Sequence, residues 1–145
     1  MKKSGKIVLT AIIGALVLAG AVLAWALLTG RDGVEGDLVF VNGSGIAVGS
    51  VGIDEMGADG GIISSTVGQN ADNSVMGRGA SIGFEVERGY PLELTAYSAV
   101  GGQGVLARLT VSEAPTGERW YVVARDDGAG GVTLELTGQR PDELK

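Results

Sequence analysis

Apolar and polar residues alternate along short stretches of this chain, and clusters of glycine, aspartate, asparagine or proline separate those stretches. In "ASIGFEVE", residues 80–87, Ile82, Phe84 and Val86 alternate with glycine or polar residues, and "LELTAYS" repeats the pattern after a "GYP" break. A period of two residues is that of a β-strand with one buried face. Because no window beyond residue 36 keeps a helical period, the pattern predicts an all-β domain.

Eight stretches of this kind follow one another, and the third is the weakest of them. They are residues 37–42, 46–54, 61–67, 80–87, 91–98, 105–111, 118–126 and 132–137. Strands with one apolar face bury it against a second sheet. We therefore predict a seven- or eight-stranded antiparallel two-sheet sandwich, immunoglobulin-like or related, over residues 37–138, followed by a flexible polar tail at 139–145.

Turn chemistry marks several of the connections. "VGGQG" and "DDGAGG" each join two neighbouring alternating runs, which predicts hairpin loops. "NGS" at residues 42–44 matches the N-glycosylation pattern, but Asn-Gly is also a favoured turn pair, and we interpret it as a turn. Residues 55–78 have the least pattern, which favours a mobile connection.

The stretch "IVLTAIIGALVLAGAVLAWALL", residues 7–28, contains 22 residues without a charge. A helix of that length spans about 33 Å, close to the thickness of a hydrocarbon core. Three lysines precede it, so the positive-inside rule places residues 1–6 in the cytoplasm and the domain outside. The pattern predicts a single-pass signal anchor at 7–28, embedded in the lipid bilayer, with a linker at 29–36.

A cleaved signal peptide is the alternative to an anchor. "AWA" offers a small-residue cleavage site that ends at Ala26, although the apolar run exceeds the usual length of a signal peptide. Ala11, Ala15 and Ala19 recur every four residues and form a small-residue stripe suited to close helix packing. Frequent alanine in membrane spans explains the same stripe without any packing role.

Composition excludes several classes of function. From Arg31 onward the chain has eight basic and 17 acidic residues, a formal charge of −9, which disfavours nucleic-acid binding. The chain has no cysteine and no histidine, so it lacks thiolate metal sites, cysteine nucleophiles and the commonest general base. No catalytic residue and no cofactor are predicted from its motifs, and we expect a protein that is not an enzyme.

Acidic residues in two connections are the candidate metal ligands. Asp54 and Asp59 surround the end of the second run, and Asp126 and Asp127 open a later loop. Loops of sandwich proteins with several carboxylates can bind calcium, which takes six to eight oxygen ligands. Solvated turn residues explain the same four aspartates equally well.

Several segments together resemble a type of small bacterial β domain. They are "VFVNGSG", "IAVGSVGID", "GRGASIGFEV", "GYPLELTAYS" and "LARLTVSEAPTGERWYVVARDDGAGGVTLELTG". Their order is similar to that in uncharacterised clostridial-type proteins that are membrane-anchored or secreted. The resemblance covers residues 37–138; it implies a sandwich of the immunoglobulin-like or a related kind outside the cytoplasm, and no catalytic residue.

The sequence thus favours a membrane-anchored extracytoplasmic sandwich that serves as a binding or envelope-assembly module, with an unidentified protein or envelope partner. Two alternatives stay open. One is a soluble secreted domain released near Ala26. The other is a calcium-dependent adhesion module that uses the four aspartates.

Overall fold

A computed structural model describes residues 34–87, 89–100, 104–113 and 119–144, together with Val17, Ala19 and Ala21. Contacts divide the chain into two units, Met1–Val34 and Glu35–Lys145. In the first unit Val17, Ala19 and Ala21 are helical and exposed. The rest of the predicted anchor at 7–28 lies outside the described residues, as do residues 29–33 of the predicted linker at 29–36. Within the described residues no helix is long and apolar enough to cross a membrane.

The second unit is built from strands. Its described residues contain eight of them and one short 3-10 helix: β1 Leu38–Asn42, β2 Val48–Met56, β3 Ile62–Gly68, β4 Ser81–Phe84, β5 Leu92–Ser98, β6 Val105–Val111, β7 Trp120–Asp126, β8 Val132–Thr137 and the 3-10 helix Asp142–Leu144. Sheet A has the order β4-β1-β7-β8 and sheet B the order β3-β2-β5-β6. Each of the eight predicted runs overlaps one strand, although β2 and β3 extend one or two residues beyond their runs, and the predicted two-sheet sandwich is confirmed.

The prediction of a wholly antiparallel sandwich is wrong at one pair. β1 runs parallel to β7, with Leu38 beside Trp120 and Val41 beside Val123. A hairpin forces opposite directions on its strands, but almost 80 residues separate these two, and both start at the same end of the sandwich. The strand order also differs from the immunoglobulin one, in which the first and second strands share a sheet.

The core between the two sheets contains the apolar faces that alternation predicts. Phe84, Leu94, Trp120 and Val122 are all buried there. Val105 is an exception, because it begins an edge strand and is 48% exposed. Met76 is completely buried, although it belongs to the segment of least pattern; it forms an isolated bridge with Val48.

A second apolar layer lies on the outer face of sheet A. All five residues of β1 are buried, which explains its continuous apolar run in place of alternation. Val39, Val41 and Val123 point away from the main core and are nevertheless fully buried. The side chains of Leu144 and Val123 both lie close to Gly43, which shows that the C-terminal segment covers part of this face.

The C-terminal segment is therefore packed where we expected a flexible tail. Arg140 donates hydrogen bonds to the carbonyl oxygens of Gly79 and Leu144 at 3.0 and 2.9 Å. Arg125 binds Glu143 at 3.0 Å. The segment looked loose because six of its seven residues are polar or proline, but its one leucine supplies an apolar anchor.

Leu144→Ala should lower the free energy of unfolding by about 2 kcal/mol, because it removes most of an apolar side chain that is 6% exposed. Chemical denaturation measures the change. Val100→Ala is the control, since Val100 is 82% exposed and its truncation should stay within about 0.5 kcal/mol. Equal effects of the two substitutions would show that the C-terminal segment does not stabilise the sandwich.

Candidate functional site

The four candidate calcium ligands each accept a hydrogen bond from within the sandwich. Asp54 accepts one from the Ser65 hydroxyl at 2.5 Å, and Asp59 accepts one from the Gly61 amide at 3.0 Å within its own turn. In the second pair, Asp126 accepts a hydrogen bond from the amide of Gly45, in the β1–β2 connection. Asp127 accepts hydrogen bonds from the amides of Ala129 and Gly131 within its own hairpin loop. Hydrogen bonds in turns and between strands therefore give each of the four carboxylates a structural role.

The fold separates the four aspartates into two pairs. Asp126 binds Gly45, which precedes the start of β2, whereas Asp54 and Asp59 lie near and beyond the end of that strand. Six residues of extended chain from Val48 to Asp54 cover about 20 Å. A single calcium site shared by all four is therefore not what the folded chain builds.

No group of three or more acidic side chains suited to a metal ion occurs among the residues described. Asp54 lies opposite Glu93 of β5 in the strand register. The sequence pattern did not predict this pair. Two carboxylates opposite each other on adjacent strands repel. The pair makes this face of sheet B acidic without completing a cation site.

Asp127 organises the β7–β8 hairpin. One of its carboxylate oxygens accepts the amides of Ala129 at 2.7 Å and Gly131 at 2.8 Å. These bonds favour the ionised form and lower the pKa of Asp127 below its ordinary value.

Because the folded pKa is the lower one, Asp127 should stabilise the fold above its unfolded pKa of about 4, and this contribution should fade as pH falls through the folded value. Titration of the carboxyl carbon by NMR should give a lower pKa for Asp127 in the folded chain than in the urea-unfolded chain. Identical values would contradict the hydrogen bonds described.

A shallow groove opens where β3 and β4 form one side of the sandwich. It is lined by Ile53, Glu55, Thr66, Phe84, Glu85 and Val86. Glu55 is largely buried, and its carboxylate accepts the Glu87 amide at 2.7 Å. The groove has room for one water molecule at most, far below the several hundred Å³ of typical ligand sites.

The "NGS" motif lies in a buried corner between β1 and β2. Asn42 is 0% exposed, donates to the carbonyl oxygens of Ile46 and Met76 at 2.8 Å, and accepts from the amide and hydroxyl of Ser44. A side chain with all its hydrogen bonds made inside the fold is not available to a glycosyltransferase. The interpretation of the motif as a turn is confirmed.

The edge strand β3 is the most unusual surface of the described chain. It ends sheet B, and its residues from Ile62 to Val67 are all exposed. Exposed fractions are 60% for Ile62, 53% for Ile63 and 64% for Val67. Such a strand presents unpaired backbone amide and carbonyl groups beside apolar side chains, which is a template for pairing with another strand.

The other edge strands of the two described sheets are shorter or carry a charge. β4 has four residues, β6 contains Arg108, and β8 contains Glu135 bound to Arg125 at 2.8 Å. Short length and charge both discourage edge-to-edge pairing. β3 combines seven residues with no charge and no proline.

Neither the models of known protein families nor the curated proteins match this chain. The resemblance to clostridial-type β domains therefore stays a hypothesis. Of the small-residue stripe, Ala11 and Ala15 lie outside the described residues, and Ala19 is helical and exposed.

Proposed function

We propose that this chain is a single-pass membrane protein that displays an acidic sandwich on the outer face of a bacterial membrane. The observation that carries the proposal is the uncharged stretch at residues 7–28, which follows three lysines and precedes an acidic body. The bilayer is its lipid partner through that stretch. A charge of −9 from Arg31 onward keeps the body away from nucleic acid and from anionic headgroups.

The proposed role of the sandwich is binding or envelope assembly without catalysis. One feature of the described residues supports binding: the uncharged strand β3 offers a surface for a protein partner. The four aspartates of the calcium-dependent alternative lie at two ends of the sandwich, which disfavours a single calcium site.

A secreted soluble domain is the second candidate, and the "AWA" segment ending at Ala26 is the observation that favours it. Membrane fractionation of the full chain, followed by intact mass measurement, separates the two candidates. The anchor proposal expects a carbonate-resistant membrane protein of the full 14.7 kDa. A soluble product that starts at Leu27 would overturn the anchor and establish secretion.

A matched variant checks that residues 7–28 cause membrane retention. Leu16→Lys together with Leu18→Lys places two charges at the centre of the apolar run, where each costs about 3 kcal/mol. The double variant should leave the carbonate-resistant fraction. Retention of the variant at the wild-type level would show that another part of the chain holds it to the membrane.

A further inference from the structure

We propose that two copies of this chain associate through their β3 strands, which pair antiparallel about Ser65 and join the two B sheets into one. The inference goes beyond the proposed function and does not depend on the anchor. It rests on the direction of the backbone groups of β3, on the symmetry of its side chains and on the absence of charge.

The hydrogen bonds of β2 establish which way its amides point. The Met56 amide bonds to the Pro91 carbonyl on the β5 side at 2.8 Å, and the next amide, that of Gly57, bonds to Gly61 on the β3 side at 2.7 Å. Amide directions alternate along a strand. Glu55 therefore points its amide toward β3, as does every second residue before it.

The register transfers this alternation to β3. Ser64 lies opposite Glu55, so Ser64 and Thr66 direct their backbone groups toward β2. Ser65 and Val67 consequently direct theirs toward the open edge. The register with β2 shifts between Ser64 and Ile62, so a bulge at Ile63 interrupts the alternation there. Ser65 and Val67 still offer outward groups two residues apart, as a further antiparallel strand requires.

The side chains of β3 are nearly symmetric about Ser65. In a pair of β3 strands centred there, Ile63 of one copy lies opposite Val67 of the other, and Ser64 lies opposite Thr66. Apolar side chains thus meet apolar ones and hydroxyls meet hydroxyls, which are the cross-strand combinations that stabilise sheets. The central five residues of β3, from Ile63 to Val67, are therefore self-complementary in a pair of strands.

Charge does not oppose this pairing, although the body as a whole is acidic. The seven residues of β3 are uncharged, and two carboxylates of β2 lie opposite it in the register, Asp54 beside Ser65 and the buried Glu55 beside Ser64. In the paired sheet the two Asp54 residues are three strand spacings apart, about 14 Å. That distance exceeds the screening length of about 8 Å at physiological salt, so their repulsion is weak.

Single cysteines test the pairing directly, because the chain has no cysteine of its own. The two Ser65 Cα atoms should lie about 5.5 Å apart as a hydrogen-bonded pair, within the range of a disulfide. Full-length Ser65→Cys, oxidised in cells and run on a non-reducing gel, should give a covalent dimer. Val105→Cys is the control on the other edge of sheet B, where the thiol is similarly exposed.

Ser65→Cys should cross-link at least about tenfold faster than Val105→Cys, because pairing raises the effective concentration of the two thiols. Ile63→Cys and Val67→Cys should each cross-link poorly alone, since like residues lie about 13 Å apart, but they should cross-link when co-expressed. Equal rates for Ser65→Cys and Val105→Cys would overturn the dimer. Efficient self-linking of Ile63→Cys would overturn the register. Neither result bears on membrane retention.

Discussion

Replacing Asn42 with alanine is expected to lower the free energy of unfolding by about 3–4 kcal/mol, the largest effect of any single side-chain truncation at the β1–β2 corner. The side chain donates to two carbonyl oxygens, those of Ile46 and Met76, and accepts two bonds from Ser44. Alanine would leave several of these groups buried without a partner, and each such group costs about 1–3 kcal/mol. The melting temperature should fall by roughly 15 °C.

Two further variants separate hydrogen bonding from packing at this position. Asn42→Asp keeps the acceptor for Ser44 but sets oxygen against the carbonyl oxygens of Ile46 and Met76, so it should destabilise at least as much as alanine. Asn70→Ala removes an asparagine whose hydrogen bonds lie at the surface, and its effect should stay within about 0.5 kcal/mol. If Asn42→Ala and Asn70→Ala cost the same, the buried network does not stabilise the corner.

Gly36→Ala is expected to cost about 3 kcal/mol, because two penalties coincide. Gly36 has a φ of 117°, a backbone conformation that glycine adopts without strain and other residues do not. An added Cβ would also lie 2.6 Å from the carbonyl oxygen and 2.7 Å from the nitrogen of Phe84. That backbone cannot move away freely, because its carbonyl accepts the Asp37 amide at 2.9 Å and closes the end of the β1–β4 pair.

Gly89→Ala is the matched control for this substitution. Gly89 has a φ of 95°, and an added Cβ there would meet no atom within 4 Å. It should therefore show the backbone strain alone, about 1 kcal/mol. Urea denaturation of both variants measures the difference. If Gly89→Ala and Gly36→Ala lower the free energy of unfolding equally, the close approach of Gly36 to Phe84 does not contribute to the cost of the substitution.

Local pattern was sufficient to predict the strands. Alternation places Leu92, Leu94 and Ala96 on one face of β5, and all three are buried. The two Gly-rich hairpins were also predictable, because β5–β6 and β7–β8 are antiparallel neighbours in both sequence and sheet. These features depend on residues close together in the chain.

Features that depend on distant residues could not be predicted in the same way. The parallel β1–β7 pair joins strands from the two ends of the domain. Met76 is buried because its irregular segment forms a β-bridge with Val48. Leu144 is buried because the chain turns back across sheet A. The distance between Asp54 and Asp126 likewise depends on topology. Asp54 lies near the end of β2, whereas Asp126 binds Gly45 before the start of β2.

The exposure of β3 is another property of topology. "IISSTV" has no charge and mixes apolar with hydroxyl side chains, which does not say whether the strand is central or at an edge. Only the sheet order places it at an edge. The candidate interaction surface therefore emerged from the strand order and not from a motif.

Accessibility of single cysteines in intact protoplasts is the most direct test of the proposed topology. Val105→Cys lies on the exposed start of β6, and Ser4→Cys lies among the lysines before the apolar run. With a membrane-impermeant maleimide, Val105→Cys should be labelled as fully in intact protoplasts as after lysis, and Ser4→Cys only after lysis. Labelling of Val105→Cys only after lysis would contradict the display of the sandwich on the outer face of the membrane.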